Sequence, residues 1–214
     1  IINASGSQAI ASLAYIQKVN KIVGPGNDFV ARAKKQVFGD VGIEGMVAGP
    51  SEITVVADKN TNLKEVLTSL IGQAEHDPNS QCILVSNNRN FIKSFQKSLK
   101  NELNKIPRKN IAKKSLLRNG LIIRVYNNKQ IVDSINEIAP EHLELYVKNY
   151  KNFLKDIKNA GSIFIGKYSP EAMGDYLAGP NHVLPTSGSA KFSSGLSVND
   201  FLKRHSLIKI TKTG

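Results

Sequence analysis

The sequence predicts an α/β fold built in layers, and three observations predict it. Short runs rich in β-branched residues alternate with stretches of helical periodicity, the pattern of helices packed on a sheet. The clearest helix repeats Leu63, Val66, Leu67, Leu70, Ile71 and Ala74 at three- and four-residue spacing, which makes one face apolar. Hydrophobic residues make up 41% of the 214 and charged residues 21%, enough to bury the core of one large domain or two smaller ones.

Taken in order, residues 8–15 read as a helix and Lys21, Ile22 and Val23 as a short strand. The turn Gly24-Pro25-Gly26-Asn27 leads into a helix over about 28–37. Residues 52–57 form a β-branched strand. The apolar helix opens on Asn62, with Glu65 as a candidate capping box, and runs until Pro78 stops it. A strand follows at 82–85, then a helix over 91–103 with Phe91, Phe95 and Leu99 on one side. The remaining elements are a strand at 121–125, a helix over 130–138 ended by Pro140, a helix over 150–158 stopped near Gly161, and a strand at 162–165. Ser169 at the N-cap and Pro170 at the first helical position start a last helix. Residues 188–194 read as a loop.

The net charge is +12. A nucleic-acid partner is not expected, because the lysines (Lys93, Lys97, Lys100, Lys105, Lys109, Lys113, Lys114) are scattered and not interleaved with aromatics. A basic nucleic-acid-binding module would rest on charge alone. No apolar run approaches the ~20 residues of a membrane helix, and residues 1–6 lack the features of a signal peptide. The one cysteine, Cys82, excludes an internal disulfide framework and lies in a strand pattern, so it reads as packing in a reducing, cytoplasmic setting.

Three constellations carry chemistry. Gln73 and His76 stand one helical turn apart at the end of the apolar helix, where an amide oxygen and an imidazole reach one metal ion. A solvated helix end uses the same residues. Glu141 beside His142, fixed by Pro140, places a carboxylate against an imidazole, as an acid–base pair requires. Surface charges at an element junction look alike. Asp175, in a short helix, precedes the Gly179-Pro180-Asn181-His182 loop, and an aspartate ligates zinc alongside histidine. The turn at 24–27 has the geometry that offers backbone N–H groups to phosphate but is not a Gly-x-Gly-x-x-Gly fingerprint.

Together and in this order, six segments resemble histidinol dehydrogenase. They are Gly-Ser-Gln-Ala-Ile-Ala-Ser-Leu-Ala-Tyr (6–15), Lys-Ile-Val-Gly-Pro-Gly-Asn (21–27), Ala-Gly-Pro-Ser-Glu-Ile (48–53), Gln-Ala-Glu-His (73–76), Ala-Pro-Glu-His-Leu-Glu (139–144) and Gly-Asp-Tyr-Leu-Ala-Gly-Pro-Asn-His-Val-Leu-Pro-Thr (174–186). The resemblance implies incomplete Rossmann-like three-layer domains. Residues 1–51 would belong to one, 52–195 to a second, and 196–214 would start a small helical dimerisation element. It implies zinc held by Gln73, His76 and Asp175, and acid–base work by Glu141 and His142. Substrate would meet Ser51, Gln73, His76, His142 and Asp175, with His182 nearby, and NAD would meet Gln8 and Asn27. The implied reaction oxidises L-histidinol to L-histidine through the aldehyde with two NAD, in a homodimer with a shared site.

The chain departs from the family pattern in three places. The family's N-terminal half is absent, as is the tail that bears a further histidine ligand; His205 lies too early for that role and reads as structural. Between Tyr15 and Lys18 the chain is a few residues short. A catalytically incomplete remnant, acting as a non-enzymatic α/β module, is the alternative expectation.

Overall fold

The computed structural model describes residues 3–44 and 49–212. Ala48, in the 48–53 segment, lies outside them, as do the chain's first two and last two residues. The larger part is a five-stranded, fully parallel sheet in the order β5-β4-β3-β6-β7. Its strands are β3 (Glu52–Ala57), β4 (Gln81–Ser86), β5 (Gly120–Arg124), β6 (His142–Leu145) and β7 (Ser162–Ile165). That order steps outward from a central first strand, then crosses to its other side, as in a doubly wound Rossmann-like sheet lacking one strand. Every residue of β3 is buried, as a central parallel strand covered on both faces requires.

Alternation along the strands sorts two cores. Ile53, Val55, Ala57, Cys82 and Leu84 face α3 (Leu63–Ala74), α4 (Arg89–Leu103) and α5 (Lys109–Asn119). Val56, Ile83, Val85, Leu143 and Leu145 face α6 (Asn128–Ile138) and the segment after β6. His142 pairs with Ile53 and Glu144 with Val55. Both therefore point to the α3 face, among apolar residues. The short α7 (Glu171–Tyr176) lies on this face too: a Cβ on Gly174 would come within 2.8 Å of the Phe164 ring of β7.

Three helices begin at the carboxyl ends of the strands, and each is capped by an asparagine. Asn62, Asn88 and Asn127 accept from the backbone N–H groups of Lys64, Phe91 and Gln130, satisfying donors that have no partner within the helix.

The smaller part packs α1 (Gly6–Ala11) and α2 (Asp28–Val37) beside a two-stranded parallel sheet of β1 (Lys21–Ile22) and β2 (Gly42–Ile43). Ile10, Ala14, Ile22, Ala33, Val37 and Val41 fill its core. Buried Lys34 pairs with Glu44 and also donates to the Gly24 carbonyl, which fixes the turn before α2.

Several elements differ from expectation. The helix expected over 8–15 is α-helical only to Ala11 and then widens into a π turn over Ser12–Ile16. Lys18 follows in the left-handed region at φ 51°, which turns the short 15–18 connection directly into β1. The 150–158 segment is two 3-10 turns, Tyr150–Asn152 and Leu154–Asp156, rather than one helix. Asn136 of α6 is the reason: its amide accepts from Lys158 and Asn159 N–H and donates to the Asp156 carbonyl, so it takes backbone groups a helix would use. The last helix starts one residue later than expected, with Pro170 at the N-cap. Strands β2 and β6 and helix α5 were not among the expected elements. Residues 196–212 contain one 3-10 turn, Val198–Phe201, and then continue without regular secondary structure, exposed. No helix among the described residues is long and apolar enough to cross a membrane.

Candidate active site

The chemistry-bearing residues gather at the amino edge of the large sheet. Glu52 and His142 are the first residues of β3 and β6, and Ser51 and Glu141 immediately precede them. Helix α3 runs back against the strands, so Gln73 and His76 reach this same edge. Nucleotide sites of doubly wound sheets lie at the opposite, carboxyl edge.

His142 and Glu141 are both buried. The imidazole Nδ1 lies 3.0 Å from the backbone carbonyl of Glu52. A carbonyl only accepts, so Nδ1 carries the proton and Nε2 keeps its lone pair. Burial holds His142 below its usual pKa, and the Glu52 carbonyl and the Asp175 carboxylate oppose that shift. The imidazole therefore rests neutral at pH 7. Nε2 faces Glu171, whose Oε1 is 3.9 Å away.

Glu141 Oε2 accepts the Glu52 N–H at 2.9 Å and sits 3.5 Å from His142 Nδ1. Burial pushes its carboxyl up to about 8, and the charges of Glu52, Glu171 and Asp175 add to that push. Burial, with Asp175 and Glu144 as neighbours, lifts Glu171 to about 7. Glu52 and Glu144 are also raised, chiefly by burial. Glu52 Oε1 accepts the Ser187 N–H at 2.9 Å, which ties the 185–189 turn to the site. A crowd of carboxyl groups stripped of water favours a bound cation.

The environments of Glu141 and His142 thus bring Glu141, His142 and Asp175 together, with His182 close enough to depress the imidazole further. Ser51 is half-buried at the start of β3; His76, Asp175 and His182 are exposed. Gln73 is only 3% exposed, and its Nε2 has no hydrogen-bond partner. A buried, unpartnered amide is costly unless something else binds it, and turning it over presents its oxygen instead. That orphaned group and the carboxylate crowd fit a divalent cation. Among the described residues, no three His, Cys, Asp or Glu side chains converge on one metal position; Gln73 is of none of those types.

Gln8 and Asn27 lie in the smaller part, both exposed. Asn27 Oδ1 caps α2 by accepting the Val30 N–H at 3.2 Å, which leaves its amide NH2 as the outward group. Gly24 has φ 126° with open space over its Cα, whereas a Cβ on Gly26 would meet Val30 at 2.4 Å. The turn so exposes backbone to an approaching anionic group and fits a dinucleotide phosphate. Cys82 is buried with its thiol pushed up to about 12, which makes it inert packing.

Glu52, Glu144 and Glu171 were not singled out from the sequence. Glu52 and Glu144 sit inside two of the quoted segments, and Glu171 precedes Asp175 by one helical turn. These spacings were the available signal.

The model of the histidinol dehydrogenase family matches residues 1–214. A histidinol dehydrogenase of Pelagibacter ubique is 55% identical over 218 aligned positions, covering 100% of this chain and 51% of its own length. One from Bacillus cereus is 52% identical over 216 positions, covering 99% of this chain and 50% of its own. The chain thus spans about half the length of the relatives it matches. The crystal structure of histidinol dehydrogenase from Elizabethkingia anophelis superposes with a TM-score of 0.91 at 40% identity, over 99% of this chain and 49% of that one. An acetylating aldehyde dehydrogenase from Geobacillus thermoglucosidasius shares the fold at a TM-score of 0.59 and 12% identity, over 95% of this chain and 60% of that one. Matched along its whole length by the family model, and more than half identical to two relatives of that name, this chain belongs to the histidinol dehydrogenase family.

Proposed function

We propose that the chain supplies the acid–base centre and much of the metal site for the zinc- and NAD-dependent oxidation of L-histidinol to L-histidine through L-histidinal, a step of histidine biosynthesis. The observation that carries this reading is His142, buried, neutral, with Nδ1 bonded to the Glu52 carbonyl and Nε2 open beside Glu171. In the first oxidation His142 Nε2 takes the hydroxyl proton of the alcohol, and the Glu171 carboxylate stabilises the imidazolium that results. In the second, Glu141 takes a proton from the water that adds to the aldehyde; a carboxyl near 8 is a stronger base than an ordinary one. When bound, NAD accepts the hydride of each oxidation, while zinc supplies positive charge for the substrate's imidazole and amine. Gln73, His76 and Asp175 would hold the metal, Ser51 with His142 would orient the substrate, and Gln8 and Asn27 would contact NAD.

The same reading divides the chain into residues 1–51 of one Rossmann-like domain, 52–195 of a second, and 196–214 of a dimerisation element in a cytoplasmic homodimer. Exposed Leu207, Ile208 and Ile210 support an apolar contact there. The test is NADH formation from L-histidinol, with and without zinc, by the 214 residues alone and by the protein at full length. Zinc-dependent turnover at full length is expected. A full-length protein that binds zinc and folds but forms no NADH would favour the non-enzymatic module.

A further inference from the structure

Strand β6 points His142 and Glu144 to the same face, two residues apart. The proposed chemistry uses the first and leaves the second unexplained. Glu144 is 1% exposed, and its Oε2 has no hydrogen-bond partner. The Ser69 and Tyr146 hydroxyls, 3.4 Å from one another, lie near enough to bias its carboxyl but do not complete it. An apolar residue would avoid the cost of burying this group. What the carboxyl does hold is the first backbone N–H of α7: Glu144 Oε1 accepts from Glu171 N at 2.8 Å.

Helix α7 needs holding. It has six residues and no side-chain cap at its N-terminus, too short to persist without tertiary contacts. It carries Glu171 and Asp175, one turn apart on one side. Gly174 packs its bare backbone close to the Phe164 ring of β7, where a Cβ would come within 2.8 Å. We propose that Glu144 is a positioning residue. Its bond to the first N–H of α7 sets the height of that helix on β6, and so the placement of Glu171 and Asp175 relative to His142. What Asp175 then binds rests on the function proposed above.

The test compares Glu144→Gln, which keeps an oxygen acceptor, with Glu144→Leu, which does not, in the full-length protein. Glu144→Met, unbranched and adaptable, replaces the leucine variant if that one does not fold. Three quantities are measured: amide hydrogen exchange over 171–176, zinc affinity by competition with a chromogenic chelator, and kcat and KM for histidinol. With Leu, exchange in α7 is expected to quicken by about tenfold or more. Zinc affinity should fall by about 10–100-fold, and kcat should fall further than KM rises. The Gln variant should stay within about threefold of the parent on all three. Unchanged exchange in the Leu variant would overturn the proposal. So would a Gln variant as impaired as Leu, which would assign the role to charge rather than placement. Quickened exchange with no zinc bound in either the parent or the variant would uphold the placement of α7 and sink the metal reading instead.

Discussion

At the scale of single residues the two groups of the candidate site differ in protonation. His142 is neutral and open at Nε2, whereas Glu141 holds its proton up to about pH 8. Replacing His142 with Gln is expected to lower kcat by about 10²–10⁴-fold with little change in zinc content, read by steady-state kinetics and metal analysis. For Glu141 the expectation concerns pH. Oxidation of added L-histidinal should rise as pH climbs toward about 8, and Glu141→Gln should abolish that limb while leaving the oxidation of histidinol less affected. The same carboxyl sets a slope in stability. Its folded value lies above the ordinary 4.5, so between 4.5 and about 8 the native state binds more protons than the unfolded state. Stability therefore falls as pH rises across that window. Glu52, Glu144 and Glu171 are raised as well and act with the same sign. Glu141→Gln should flatten the dependence of Tm on pH, measured by thermal unfolding. The adjacency of Glu141 and His142, whose acid–base role is proposed above, was legible in the sequence because Pro140, Glu141 and His142 are contiguous. Glu171 was not, since its link to His142 arises only when α7 folds back over β6.

At the scale of elements, long periodic segments declared themselves and short ones did not. Helix α3 is legible by its apolar face, but it ends at Ala74, ahead of the Pro78 stop, so that His76 lies in the turn after it. Helix α5 escaped because it buries only Ala112 and Ser115 fully, too thin a stripe to stand out among lysines. Strand β6 escaped because Glu144 occupies an inward position where alternation leads one to expect an apolar residue. The 150–158 segment has helical spacing, but Asn136 diverts its backbone bonds, a tertiary effect that local pattern does not contain. Helix α7 yields a direct prediction. Gly174→Ala, which ordinarily favours a helix, should here destabilise the fold by about 1–3 kcal/mol through overpacking against Phe164. If Asp175 holds zinc as proposed, the same change should weaken metal binding, because Asp175 is the next residue. Adding Phe164→Leu should recover part of both, as followed by thermal melts and chelator competition.

At the scale of the whole molecule, the α/β layering was legible from alternating strands and helices and the family from six segments in order, whereas the strand order β5-β4-β3-β6-β7 emerges only in the folded sheet. The placement of the site at the amino edge was not legible either, because no local signal says which end of a strand a ligand will visit. If the amino-edge site holds zinc, the metal should stabilise the folded protein by about 2.7 kcal/mol at a concentration 100 times its Kd. Tm should then rise on the order of 5–10 °C, with reversal by a chelator and no rise in a Gln73→Ala variant. The bonds that define the centre, Glu52 to Glu141 and His142 to Glu52, join residues 89 and 90 positions apart in sequence. Closing so long a loop is late and slow work for a chain with parallel pairing. Helices can recover early on dilution from denaturant, but the histidine has no carbonyl to fix its tautomer until β3 and β6 have met. Enzymatic competence should therefore return with the slowest refolding phase, after most of the helical circular dichroism has reappeared.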